Sequence, residues 1–258
     1  MTLALLLGYS DSMFTSFISE QTGRLVVSHS PRVLIRFSAT IGLTVLHLLF
    51  SPGLMAETWK ITSAKFPPYS SPDLPGQGTA ITKLRETLAA EGIELEVEFY
   101  PWQRSQLYAE KPEYVGFYPA WPEEVGDNFI ASEPVVQSKV GVLYRADNPI
   151  EWDSMNDLFK RNRVTLIQGY VFSDAVEEAA RQNPENVGSA PHERNVVQML
   201  EHGHIDATVT DIRVMLYYAN QLGVDNIEAS PRGVEYKPLV LAFNDREENK
   251  ARLELLNS

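Results

Sequence analysis

Cysteine is absent from the 258 residues of this chain. That excludes disulfides, thiol nucleophiles, iron–sulfur clusters and Cys-ligated zinc, and it leaves no cysteine for an acyl anchor. Basic residues are scarce: 22 Lys and Arg stand against 34 Asp and Glu, a formal net charge of −12. A surface of that sign repels phosphate backbones and anionic lipid, which argues against nucleic acid and acidic membranes as partners. Long hydrophobic runs are missing too. The most apolar stretch, residues 37–50, is interrupted by His47 and is shorter than the roughly 20 residues needed to cross a bilayer. Gly-x-Ser-x-Gly, His-Glu-x-x-His and phosphate-cradling glycine loops do not occur, nor does an internal repeat.

What is present suits a soluble globular chain of one or two domains, with 44% hydrophobic and 22% charged residues. The first 56 residues differ in character. Arg32 and Arg36 precede the apolar run 37–50, then come Ser51-Pro52-Gly53 and the small residue Ala56. A charged lead, a short apolar run and a small residue read as a secretory signal cut near Ala56. Met13 is an alternative start. Removing residues 1–56 takes away three Arg and two acidic residues, leaving a net charge of −13.

Beyond residue 56, short alternating or apolar segments are interleaved with helical patterns. Residues 60–64, 94–99, 115–118, 140–144, 163–167, 205–209 and 238–243 read as strands. Helices are expected from Thr79 with Ile81, Leu84 and Leu88 on one face, and over 173–181, 194–201 and 212–222. Thr79 is the expected N-cap of the first. Strands alternating with helices imply parallel sheets with right-handed crossovers, and the unit occurs once before about residue 140 and again after 163. Two α/β lobes are therefore expected.

Three constellations are candidates for chemistry. In "EHGHIDATVTD", residues 201–211, His202, His204 and Asp206 have the spacing of a metal-binding strand face. Gly203 breaks the row, however: His202 falls in a helix's last turn and the strand pattern begins only at Ile205, so no metal is expected. Asp211 differs, because it ends the strand where a helix begins. Either it caps that helix or it faces a ligand crevice. Second, Gln168-Gly169-Tyr170 turns from a buried strand toward a helix, where backbone N–H groups favour an anion. Third, aromatics crowd residues 100–121. Trp102, Tyr118 and Trp121 are candidates for stacking on a ligand, and Arg104 among them is a candidate for holding an anion. Glu123-Glu124 could act as acid and base, although adjacent loop carboxylates are ordinarily solvated.

The segments "PPYS", "FYPWQRSQ", "FIASEPV", "LIQGY", "HGHIDATVTD" and "YKPLVLAF" occur in this order after the signal-like stretch. In order and spacing the chain resembles the periplasmic extracellular solute-binding proteins of the polar amino-acid ABC-transporter type, over nearly all of 57–258. The resemblance implies a two-lobe α/β fold with mixed, mostly parallel sheets joined by two crossing strands. Lobe 1 would be 57–140 with 238–258 returning to it, and lobe 2 would be 141–237. It implies a periplasmic, monomeric binding protein for a small polar solute, without a cofactor, and possible delivery to a membrane permease. Ligand contacts would fall on Tyr69, on 118–121, on Gln168, Gly169 and Tyr170, and on Asp211, whose counterpart takes an ammonium group in amino-acid binders. An enzyme of dehydratase or lyase type on the same scaffold is the alternative, using Glu123, Glu124 or Asp211. Two departures stand out. The slot of the family's carboxylate-gripping arginine holds Val125, and the chain stops inside the helical pattern begun at Arg246, where family members usually continue.

Overall fold

The computed structural model describes residues 57–233 and 235–258; the signal-like segment 1–56 lies outside them. The order begins with β1 (Thr58–Ser63), α1 (Thr79–Ala90), β2 (Glu94–Phe99), α2 (Trp102–Ala109), β3 (Gly116–Ala120), β4 (Phe129–Ala131) and β5 (Val136–Arg145). It continues with α3 (Met155–Arg161), β6 (Val164–Ile167), α4 (Asp174–Gln182), β7 (Val187–Ala190), α5 (Glu193–Glu201) and β8 (Ala207–Asp211). α6 (Ile212–Leu222), β9 (Ile227–Ala229), β10 (Glu235–Asn244) and α7 (Glu247–Leu256) complete it.

Local pattern explains most of these elements. Ile81, Leu84 and Leu88 form a three-four stripe on α1 and are fully buried. Thr79 does not cap this helix. Gly78, at φ +106°, takes the position before it, and the Thr79 hydroxyl donates to Pro68 O at 3.2 Å. A side chain could not stand at Gly78, because its Cβ would lie 2.4 Å from Tyr69 O. The loop carrying Tyr69 is thus pressed against the start of α1.

The strands form two groups. In the first, β1 pairs in parallel with β2 and β3, and residues 240–244 of β10 run antiparallel to β3 and β4. In the second, residues 235–239 of β10 pair antiparallel with β5, β5 with β8 and β9, and β6 lies parallel to β7 and β8. Parallel pairing occurs where helices intervene; the two long strands β5 and β10 introduce the antiparallel pairs. The chain passes between the groups twice, at residues 131–136 and within β10. These passages are tied together: Ser132 N donates to Leu241 O at 2.9 Å, and Leu241 N to Ser132 Oγ at 3.0 Å.

The strand expected over 115–118 runs on to Ala120, with Pro119 inside it. The register against β10 shifts between Phe117 and Ala120, so Tyr118-Pro119 form a bulge that needs no ladder N–H from proline. α7 returns to the first group, where the buried Asn249 donates to Val115 O at 3.2 Å. Among the described residues no helix is long and apolar enough to cross a membrane.

Candidate functional site

β8 is buried along its whole length and delivers Asp211 to the point where α6 begins. Asp211 is fully buried. Its Oδ1 accepts the Val214 N–H at 2.9 Å, so it does cap the helix. Its Oδ2 has a second role, accepting the Tyr69 hydroxyl at 3.1 Å and the Lys139 N–H at 3.2 Å. Tyr69 belongs to the first strand group and Asp211 to the second, so this hydrogen bond crosses between them. Burial raises the Asp211 carboxyl from 3.8 to about 6, against the opposing pull of these donors. Burial, together with the adjacent carboxylate, also raises the Tyr69 hydroxyl well above its ordinary value. The Arg213 guanidinium lies 5.3 Å from the Tyr69 ring centre.

Beside this pair stands an aromatic cluster. Phe66 stacks on Tyr69 at 5.4 Å and meets the edges of Trp121 and Tyr170, each at 6.2 Å. Trp121 and Tyr170 meet edge to face at 5.6 Å. Trp121 is held from three sides: its indole N–H donates to Ser138 Oγ at 3.0 Å, its backbone N–H donates to Glu124 Oε2 at 2.9 Å, and Lys237 Nζ lies 4.4 Å over its ring. The Tyr170 hydroxyl donates to the Glu193 carboxylate. Phe66, Trp102, Pro119, Trp121, Glu124 and Tyr170 line a cavity of about 50 Å³, room for a few water molecules. Burial raises the Glu124 carboxyl from 4.5 to about 7.

Of the residues singled out in the sequence, Tyr69, Trp102, Trp121, Tyr170 and Asp211 come together here. The others stand apart. Arg104 is exposed on α2 and does not line the cavity. Gln168 and Gly169 are exposed. Gly169, at φ +79°, serves a left-handed turn, and α4 begins only at Asp174, so the turn does not open directly into a helix. Tyr118 is buried in the core, and its hydroxyl has no hydrogen-bond partner among the described residues. Val125 packs beside the cluster formed by Phe117, Val240 and Ala242. The His202 and His204 rings stack at 5.9 Å, but Asp206 is bound by the Arg163 guanidinium at 2.7 Å and 3.0 Å, and His202 Nδ1 lies 2.8 Å from Gln198 O. No group of three or more metal-ligating side chains stands together among the described residues.

Phe66, Ser138 and Lys237 were not anticipated at the site. Glu124, weighed earlier as a solvated loop carboxylate, is half-buried and lines the cavity. Only Lys237 had a local signal, being a lone cation entering the apolar strand "YKPLVLAF".

No family model matches the chain, and no curated protein matches it in sequence. Solved structures do match. A histidine kinase sensor domain with similarity to periplasmic binding proteins superposes with TM-score 0.63 at 16% identity, covering 78% of this chain and 87% of that one. An ancestral arginine-binding protein bound to arginine gives 0.63 at 20% identity, covering 79% and 90%. An ancestral amino acid-binding protein, a precursor of cyclohexadienyl dehydratase, gives 0.57 at 22% identity, covering 78% and 86%. At such identities the likeness concerns the fold, and the two strand groups joined by two passages agree with it: the chain has the two-lobe periplasmic-binding-protein fold.

Proposed function

We propose that this chain is a solute-binding protein that captures a small polar ligand between two hinged lobes, for ABC-type uptake or for sensing. Residues 57–140 with 238–258 form lobe 1, and residues 141–237 form lobe 2. The chain is exported to the periplasm by a signal cut near Ala56, acts as a monomer and, in the uptake reading, delivers its ligand to a membrane permease. The observation that carries the reading is the Tyr69–Asp211 contact: a buried carboxylate on one lobe meets an aromatic hydroxyl from the other at 3.1 Å. A ligand ammonium that inserts there gains a charged partner, and the aromatic faces of Phe66, Trp121 and Tyr170 close around its body. Such contacts exist only when the lobes are together, so ligand binding shifts the population toward closure.

The fold neighbours support the class of ligand, since those named above include proteins that bind arginine and other amino acids. One observation favours an enzyme as second reading. Glu124 lines the cavity with a carboxyl raised to about 7, where it could donate or accept a proton near neutral pH.

A thermal-shift screen of amino acids, polyamines and organic acids tests the proposal. A true ligand at about 100 times its Kd stabilises by roughly 2.7 kcal/mol. Asp211→Ala should abolish that shift. A screen with no stabilising compound, or a shift unchanged in Asp211→Ala, overturns this site. Turnover of a stabilising compound, lost in Glu124→Gln, would favour the enzyme.

A further inference from the structure

A second cavity, of about 150 Å³, also has Trp121 in its wall but not Phe66. Val140, Met155, Val176 and Val209 give it apolar walls, and Trp121 separates it from the smaller cavity. One buried cation lines it: Lys237, 3% exposed. Glu235 also lines it but is exposed.

Strand register relates this lysine to Asp211. Lys237 stands opposite Ser138, and Asp211 stands opposite Val140, two residues further along β5. Residues directly opposite in antiparallel strands share a face, and so do residues two apart on one strand. Lys237, Ser138, Val140 and Asp211 therefore project from one face of the sheet, a buried cation and a buried anion with Trp121 bonded over the hydroxyl between them. Two strand spacings and two residues separate their Cα atoms by roughly 12 Å. The lysine side chain carries its charge off the strand to the Trp121 ring, whose centre lies 4.4 Å from Nζ.

A buried ammonium is costly unless it is paired. Among the described residues the one carboxylate within 4.0 Å of Lys237 is Glu123, at 3.3 Å, whose side chain is 47% exposed. That partner sits half in water on the turn 122–124, so it compensates the burial only in part, and Lys237 also acts on the carboxyl of Glu124 on the same turn, holding it down against the effect of burial.

We propose that Lys237 is the anion anchor of the binding site, replacing the charge that Val125 lacks: the ligand is a small zwitterion with an apolar body, its ammonium on Asp211, its carboxylate on Lys237 and its body in the cavity beside Trp121. This rests on the solute-binding reading. It goes further by assigning the second charge and by favouring apolar amino acids over one with a cationic side chain such as arginine.

Isothermal titration of the mature chain with L-leucine, L-methionine, L-arginine and isoamylamine, which is leucine without its carboxylate, tests it. Wild type should bind leucine or methionine, and isoamylamine roughly 100-fold more weakly, the scale of a lost buried charge partner. Lys237→Met should lose about as much for the amino acid and cease to distinguish it from the amine. Lys237→Arg should keep the discrimination. Equal binding of amine and amino acid by wild type overturns the proposal without any variant, which covers a Lys237→Met protein that fails to fold. A folded Lys237→Met that binds the amino acid as wild type does overturns it too, while leaving the solute-binding reading standing. Binding of arginine alone refutes the ligand class, and binding of no compound by wild type here and in the wider screen refutes both proposals.

Discussion

The Tyr69 hydroxyl donates to Asp211 Oδ2 at 3.1 Å, across 142 residues of sequence and between the two strand groups. Because Asp211 also caps α6 and accepts the Lys139 N–H, one carboxylate couples a helix start, a long strand and the loop that carries Tyr69. Tyr69→Phe keeps the ring on Phe66 and deletes only the donor. It should cost about 1.5–3 kcal/mol, as for a hydrogen bond to a charged group, and raise the Asp211 carboxyl further, since that bond holds it down. Chemical denaturation at neutral pH checks the first expectation. A loss below the measurement error would mean that the contact contributes nothing to stability.

Trp121 is 2% exposed, forms a wall of both cavities and bonds to Ser138. Trp121→Ala should destabilise the protein by about 3–5 kcal/mol and join the two cavities. Trp121→Phe should cost less, roughly 1–3 kcal/mol, because most packing survives while the Ser138 hydroxyl loses its donor. Melting curves of both variants order these effects. If the phenylalanine variant proved as damaged as the alanine one, the hydrogen bond rather than the packing would dominate.

Stability should fall as pH rises from about 4 to about 7. In the folded state the Asp211 carboxyl is raised to about 6 and that of Glu124 to about 7, both chiefly by burial. Within this window the folded protein keeps protons that the unfolded chain has released, so each step up in pH favours unfolding. At more acid pH the slope reverses, because Lys60 and two tyrosines hold Glu98 at about 2 and the folded state there binds fewer protons. Glu124→Gln keeps an acceptor for the Trp121 N–H and should flatten the decline toward pH 7. Urea titrations at half-unit pH steps provide the check, and a wild-type stability that climbs steadily to pH 8 would contradict the assignment.

His204→Ala should change neither metal content nor ligand-induced stabilisation, because Asp206 is committed to Arg163 rather than to the histidines. Arg163→Ala removes a pair at the surface and should cost about 1 kcal/mol or less. Elemental analysis and thermal shift on the two variants measure both. Bound metal that disappears in His204→Ala would revive the metal site.

Much of the local structure was legible in the sequence. The Ile81, Leu84 and Leu88 stripe, the alternation of β2 and the bounds of α6 follow from periods of 3.6 and 2.0, which neighbouring residues set by themselves. The break at Gly203 and the position of Asp211 between strand and helix are local features too, and the break alone takes the histidine row off a single strand face. Arg104 illustrates the limit. Its sequence neighbours are aromatic, yet it is exposed on α2, because helix phase rather than adjacency determines which side chains reach the site.

Sequence alone, then, determined the longer helices and strands and singled out Asp211, while the short β4, β7 and β9 carried no period long enough to read. Tertiary structure decided the company that residue keeps. Lys237 and Ser138 share a face because of the register of β10 against β5, and the packing of loops distant in the chain brings Tyr69 to Asp211 and Phe66 to Tyr170. A local period is written in consecutive residues, whereas the register between strands far apart in the chain is chosen by the packing of the whole core.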